Sequence, residues 1–246
     1  MTEFFNLLVS FLALTVLEIV LGIDNLVFLA IISQRVENHL QKKARQLGLL
    51  MAWVTRLLLL GSAVWLTKLT YPIVTLFDFS FSGRDIFLIA GGMFLVAKST
   101  QEIHTELETN NEADSIRPIK SGFYWVVTQI ALLDIIFSLD SVLTAIGLTP
   151  HFWLMALAIT IAIIVMIFSS EPISRFIHKH PTIKMLALSF LILIGTVLIA
   201  DGFHFHIPRE YIYFAMGFSV FVESLNLVRR KKRIKAKKTK STKDKS

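Results

Sequence analysis

The sequence predicts an all-α membrane protein of seven transmembrane helices, built as an inverted 3+3 helix repeat plus one C-terminal helix. Three observations carry that prediction. Apolar windows recur along nearly the whole chain, which is 54% hydrophobic with a mean hydropathy of +0.64. Lysine and arginine collect in alternate loops. Two apolar segments also repeat one acidic pattern, Glu18-Ile19-Val20-Leu21-Gly22-Ile23-Asp24-Asn25 and Asp134-Ile135-Ile136-Phe137-Ser138-Leu139-Asp140-Ser141.

The seven segments are Phe5–Ile32, Leu47–Leu66, Ile86–Ala97, Phe123–Ile146, Phe152–Phe168, Met185–Ala200 and Tyr211–Val228. The first would make roughly 40 Å of helix at about 1.5 Å per residue, so it must tilt, kink or break. It lacks a basic leader and a small-residue cleavage site and carries Glu3, Glu18 and Asp24, so a cleaved signal peptide is not expected. The third is short, but Gly91-Gly92 and the flanking Phe81 and Lys98 allow extension at both ends. Seven spans form one polytopic domain over residues 1–228, with repeat copies near 5–98 and 123–201 and the extra helix at 211–228. Residues 229–246 form a basic tail expected to lack order.

Basic residues fix an orientation. One set of loops holds Arg35, Lys42, Lys43 and Arg45, then Lys98, Arg117 and Lys120, then Arg175, Lys179 and Lys184, and the basic tail. The opposite loops hold only Lys68, Arg84 and Arg209. The positive-inside rule therefore predicts N-out and C-in. The net charge of +7 is concentrated in the tail beside a membrane helix, which argues for contact with anionic lipid and against nucleic acid. With no cysteine there is no disulfide framework, thiolate metal site or redox thiol.

The acidic motifs lie 116 positions apart, and Gly92–Lys98 resembles Gly195–Asp201 at an offset of 103. Spans one to three thus correspond to spans four to six. Three is odd, so the second copy crosses the membrane in the opposite sense. Inverted repeats of this kind are typical of secondary transporters, whose ion sites lie near the midplane where the copies meet.

A carboxylate at bilayer centre costs roughly 2.5–3.5 kcal/mol, so four facing lipid would cost on the order of 10 kcal/mol. Something must compensate: a bound cation or a proton is the cheapest candidate, with hydrogen bonds to neighbouring helices or pairing with Arg56 as the alternative. Along a helix, Glu18, Gly22 and Asn25 share one stripe, and Asp134, Ser138 and Ser141 another. Asp24 and Asp140 sit about 120° away, so a regular helix aims each pair of acids at different neighbours. A break near Gly22 or Ser138 would instead gather them in one cavity. Sequence leaves both geometries open.

If the acids converge, the candidate metal ligands are Glu18, Asp24, Asn25, Asp134, Asp140 and Ser141, all oxygen donors. Hard divalent cations such as manganese, magnesium or calcium suit such a set better than zinc or copper. The surplus of negative charge over one divalent ion leaves room for protons, as proton-coupled exchange requires. Arg56 is read as a structural counter-ion to one acid. Lys98 and Asp201 are read as snorkelling groups at matched ends of two spans. His204 and His206, and His178 and His180, flank loops and are read as solvated. No permanently bound cofactor and no enzymatic activity are expected.

The two acidic motifs, extended to Phe28 and Val142, resemble the TerC family of integral membrane proteins. Further resemblance lies in His180–Gly195, in His206–Ser219 and on to Glu223-Ser224-Leu225-Asn226. It covers the chain from the first span to the end of the seventh and is closest to short members with no appended soluble domain. The family is bacterial, so the resemblance implies a multi-pass protein of the inner (plasma) membrane. It also implies seven spans and, for several members, manganese efflux or delivery of manganese to exported enzymes. The family's acidic motif falls on Glu18, Asp24, Asn25, Asp134, Asp140 and Ser141.

The leading expectation is an inner-membrane divalent-cation transporter, with manganese efflux by alternating access as its sharpest form. A membrane scaffold or metal-delivery partner without transport of its own is the competing class. An intramembrane aspartyl protease is disfavoured, because neither aspartate has the Tyr-Asp or Gly-x-Gly-Asp setting of that class and each is paired with a second acid.

Overall fold

The computed structural model describes residues 2–62, 71–76, 79–111, 122–148 and 151–243. Within them lie seven α-helices: α1 (Thr2–Ile32), α2 (Asn38–Gly61), α3 (Gly83–Asn111), α4 (Phe123–Leu148), α5 (Phe152–Lys179), α6 (Pro181–Gly202) and α7 (Arg209–Lys243). A 3-10 turn, Ser33–Arg35, links α1 to the approach of α2. The structure departs from an all-helical expectation in one place. Strands β1 (Pro72–Leu76) and β2 (Phe79–Ser82) pair antiparallel between α2 and α3, with Val74 opposite Phe81 and Leu76 opposite Phe79. β-Branched and aromatic residues crowd this short stretch, which favours extended backbone.

Several helices run past the apolar windows that announced them. α3 continues to Asn111 through polar sequence, α5 to Lys179 across Pro172, and α7 to Lys243. The segment 229–243, expected to lack order, is therefore helical, a continuation of α7 with its basic residues. α2 starts nine residues before its apolar window, at Asn38, and ends at Gly61; residues 63–66 of the expected span lie outside the described residues. α1 passes through Gly22 and α4 through Ser138 as unbroken helices, so neither motif is bent.

Five helices are long and apolar enough to cross a membrane: Phe5–Arg35, Gly83–Glu108, Phe152–Lys179, Pro181–Gly202 and Tyr211–Arg229. α2 and the described part of α4 do not meet that measure. α2 carries Lys42, Lys43, Arg45 and Arg56, and the apolar helix in α4 is the shorter Phe123–Leu139. Much of the surface is apolar, including Leu58, Phe168, Phe214 and Phe218, as a lipid-facing exterior requires. Tyr124, Trp125, Trp153 and Tyr211 stand exposed at the starts of α4, α5 and α7, where amphipathic rings suit a membrane–water boundary.

Three pairings build the bundle: α1 against α5, α2 against α4, and α3 against α6. Small residues let the backbones approach. Gly22 is overlain by Met166, Gly48 by Ile130 and Gly91 by Ile136. The closest approach is at the α3–α6 crossing, where Gly92 and Gly195 face each other. A Cβ at Gly92 would lie 2.5 Å from the Gly195 carbonyl oxygen, and one at Gly195 would lie 2.9 Å from that of Gly92. Neither carbonyl can rotate away without breaking its helix.

Gly92→Ala is accordingly expected to lower the melting temperature of the detergent-purified protein, at a cost of roughly 1–3 kcal/mol for overfilling a packed contact. Gly217→Ala, where an added Cβ meets nothing within 4 Å, is expected to leave the melting temperature unchanged. Equal melting of Gly92→Ala and wild type would contradict the crossing.

Candidate functional site

The inward face of α2 is written in its spacing. Ala44, Arg45, Gly48, Leu49, Ala52, Arg56 and Leu60 are its buried residues, at helical intervals along one stripe. Arg45 and Arg56 are eleven residues, close to three turns, apart on that stripe. Each meets acid from a neighbouring helix.

Arg56 is 2% exposed and forks between the two repeated motifs. Its Nη1 donates to Glu18 Oε2 on α1 at 2.7 Å. Its Nη2 donates to Asp134 Oδ1 on α4 at 2.8 Å, and its Nε lies 3.2 Å from Asp134 Oδ2. Asp134 also accepts from Asn25 Nδ2 at 3.2 Å and from Ser138 Oγ at 3.0 Å. A bidentate arginine–carboxylate pair held by further hydrogen bonds is the geometry in which a buried ion pair is best compensated. Arg56 is thus counter-ion to two acids, where sequence reading assigned it one.

Of the six sequence-predicted ligands, the five with described side chains fall into two adjoining groups bridged by Asn25 and Arg56. Glu18 and Asp134 are joined through Arg56. Asp24, Asn25 and Ser141 instead line a cavity of about 60 Å³ between α1, α4, α6 and α7, walled also by Arg56, Phe137, Leu198 and Tyr213. A second cavity of about 20 Å³ is lined by Asn25, Phe28, Asp134 and Phe137 among others. The side chain of Asp140 lies outside the described residues. Among the described residues no three histidine, cysteine, aspartate or glutamate side chains gather closely enough to hold a metal.

Unbroken helices explain this separation. With α1 regular, Glu18 and Asp24 point in directions roughly 120° apart, so the first reaches Arg56 and the second reaches the cavity. Asp24 has no hydrogen-bond or ion-pair partner among the described residues. Among the described residues, two acceptors near the fork are also buried and unpaired: Glu18 Oε1, and Asn25 Oδ1, whose amide nitrogen is turned to Asp134. Unpaired buried acceptors are uncommon, and the larger cavity exceeds the roughly 10–15 Å³ that a water needs. It can take an ion with part of its water shell.

Further ion pairs lie toward both ends of the bundle; from sequence, Lys98 and Asp201 are read only as snorkelling groups and His204 and His206 only as solvated. Arg45 donates to Glu171 and, at 3.2 Å, to Ser174 Oγ, both on α5. Arg35 meets Glu102 at 2.7 Å, and Lys184 meets Glu106 at 2.5 Å, tying the turn after α1 and the start of α6 to the extension of α3. Lys98 lies 4.0 Å from Glu102 and 3.2 Å from the Gln101 side-chain oxygen, so its end of α3 is polar-bonded. At the opposite end His204, with a left-handed φ of 66°, lies 3.1 Å from Asp85, which also accepts from the Ser82 amide and hydroxyl. His206 lies 3.5 Å from the buried Asp201. The signal for Arg45 was available in its helical register with Arg56. The signal for Arg35–Glu102, Lys184–Glu106 and Asp85–His204 was not, because those partners are far apart in sequence.

Asp134 accepts more bonds than Glu18. Asp134→Ala is therefore expected to destabilise the detergent-purified protein by about 3–5 kcal/mol, the range for breaking a buried ion pair, and Glu18→Ala by less. Comparing the two by thermal unfolding checks the asymmetry; the reverse order would contradict it.

Comparison with known proteins agrees with the membrane architecture. The family model described as Integral membrane protein TerC family matches residues 5–239. The UPF0053 inner membrane protein YgdQ of Escherichia coli is 50% identical over 219 residues, covering 89% of this chain and 92% of that protein. A UPF0053 protein of Haemophilus influenzae is 48% identical over the same coverage. The inner membrane protein YoaE of Escherichia coli is 47% identical over 93% of this chain but only 44% of its own, longer sequence. No solved structure matches. With a match across nearly its whole length and close relatives in the inner membrane, this chain belongs to the TerC family and is a multi-pass protein of the inner membrane.

Proposed function

We propose that the protein is a divalent-cation transporter of the inner membrane, working by alternating access, with manganese efflux as its most specific form and protons as the counter-ion. The observation that carries this reading is the cavity lined by Asp24, Asn25 and Ser141 beside the buried Arg56 fork. Charged groups inside apolar helices are costly, and they mark ion paths far more often than structural pairs. The donors at the cavity are oxygens, which suits manganese, magnesium or calcium. The transported ion is cargo, held while it crosses.

In this reading all seven helices cross the membrane, N-terminus out and C-terminus in. The helix pairing supports an inverted repeat. Exchanging α1 with α4, α2 with α5 and α3 with α6 leaves the set of main pairs unchanged. The matched glycines Gly92 and Gly195 also meet each other, as residues on a two-fold axis must. The ion pairs Arg35–Glu102, Arg45–Glu171 and Lys184–Glu106 then share the inner side, and Asp85–His204 the outer side. Breaking and remaking such pairs on alternate sides is how two packed halves rock about a central site. The basic extension of α7 would lie inside, against anionic lipid.

Uptake into proteoliposomes, screened across manganese, calcium, magnesium and zinc with and without a proton gradient, tests this directly. Saturable flux of an oxygen-preferring cation is expected, enhanced by the gradient. Asp24→Asn and Asp140→Asn are each expected to abolish flux while leaving membrane insertion intact. Wild-type flux in either variant would remove that residue from the site, and the absence of cation flux in wild type would favour a scaffold or metal-delivery role.

A further inference from the structure

Resting on that transport reading, we propose that Arg56 is a tethered counter-cation that keeps Glu18 and Asp134 from the cargo. The ion's own ligands are then Asp24, Asn25 and Ser141, and the guanidinium sets how tightly the ion is held. Arg56 engages both acids at 2.7 and 2.8 Å and also forms part of the wall of the cavity. A cation entering there sits beside a fixed positive charge and reaches the two acids only by displacing it.

The orientation of Asn25 supports the division. Its amide nitrogen is committed to Asp134, which leaves Asn25 Oδ1 as a buried acceptor with no partner among the described residues. An oxygen presented without a donor suits a cation better than a hydrogen-bonding solute. Ser141 donates to the Ser138 carbonyl at 3.2 Å, so the lone pairs of its hydroxyl remain available.

The arginine also breaks the symmetry of the repeat. The apolar run Phe152–Phe168 of α5 contains no lysine or arginine, so one guanidinium serves both acidic motifs. Among the described residues, Glu18, Asp24 and Asp134 against one guanidinium leave two formal negative charges for a divalent ion to meet. Without Arg56 the ion would face all three in a low-dielectric interior and would be held too tightly to leave. Transport needs binding weak enough for release as well as strong enough for entry.

The test is manganese binding to the full-length protein in nanodiscs, read by electron paramagnetic resonance, beside flux in proteoliposomes. Arg56→Gln is expected to bind manganese about tenfold tighter or more, the scale of removing one nearby charge at low effective dielectric, and to move it at least tenfold more slowly. Glu18→Gln, which keeps a hydrogen-bonding group for Arg56, is expected to retain saturable binding within about tenfold of wild type, since the charge it removes is not a ligand. Asp24→Asn is expected to bind none. A folded Arg56→Gln protein with unchanged or weaker binding overturns the proposal while wild-type flux leaves the transport reading standing. Should Arg56→Gln not fold, Glu18→Gln decides: loss of binding as complete as in Asp24→Asn overturns it. Wild-type protein that neither binds nor moves manganese, calcium or magnesium overturns the transport reading and this proposal together.

Discussion

The fold turns on one side chain. Arg56 brings a full positive charge into the packed interior, where an unpaired ion would be prohibitively costly, and its compensation must come from other helices. Glu18 supplies it from α1 and Asp134 from α4. Helices α1, α2 and α4 are thereby held at one depth and in one rotation, because a planar guanidinium donates only in fixed directions. Non-directional apolar packing alone would let these helices slide or turn past one another.

Much else follows from that rotation. Once Glu18 faces Arg56, regular helical geometry turns Asp24 toward the space between α1, α4, α6 and α7, where the cavity lies. The α3–α6 pair gives no side chain to the fork, although α6 walls the cavity, and it is fastened by the Gly92–Gly195 contact. Polar ties between helices are otherwise found toward the bundle ends, as with Arg45 and Glu171 or His204 and Asp85. A central charged fork, flanked by a cavity and closed by polar contacts at either end, is the anatomy that the proposed alternating access calls for.

The helices were legible because long apolar windows and loop charge leave few alternatives. Their ends were less so. α3 and α7 continue into polar sequence where hydropathy says nothing, and the β1–β2 ribbon is too short to be distinguished from a loop by pattern alone. At the site, the acid motifs and the phase difference between Glu18 and Asp24 could be read directly from residue spacing. Whether the helices broke at Gly22 and Ser138 could not, since glycine and serine permit a bend without compelling one. The double duty of Arg56 was also hidden, because a single sequence does not say which acids approach an arginine from two other helices. Burial of Arg45 and Arg56 on one stripe was the readable clue to α2 as the polar spine of the bundle.

The central claim is that Arg56, Glu18 and Asp134 act as one unit. Stability of Arg56→Met, of the pair Glu18→Leu with Asp134→Leu, and of the triple combination, compared by thermal unfolding in the same detergent, measures that coupling directly. Either partial change leaves buried charge uncompensated and is expected to lose about 3–5 kcal/mol or more, whereas the triple replaces the whole cluster with apolar volume and is expected to recover most of that loss. Losses that simply add in the triple variant would contradict the account.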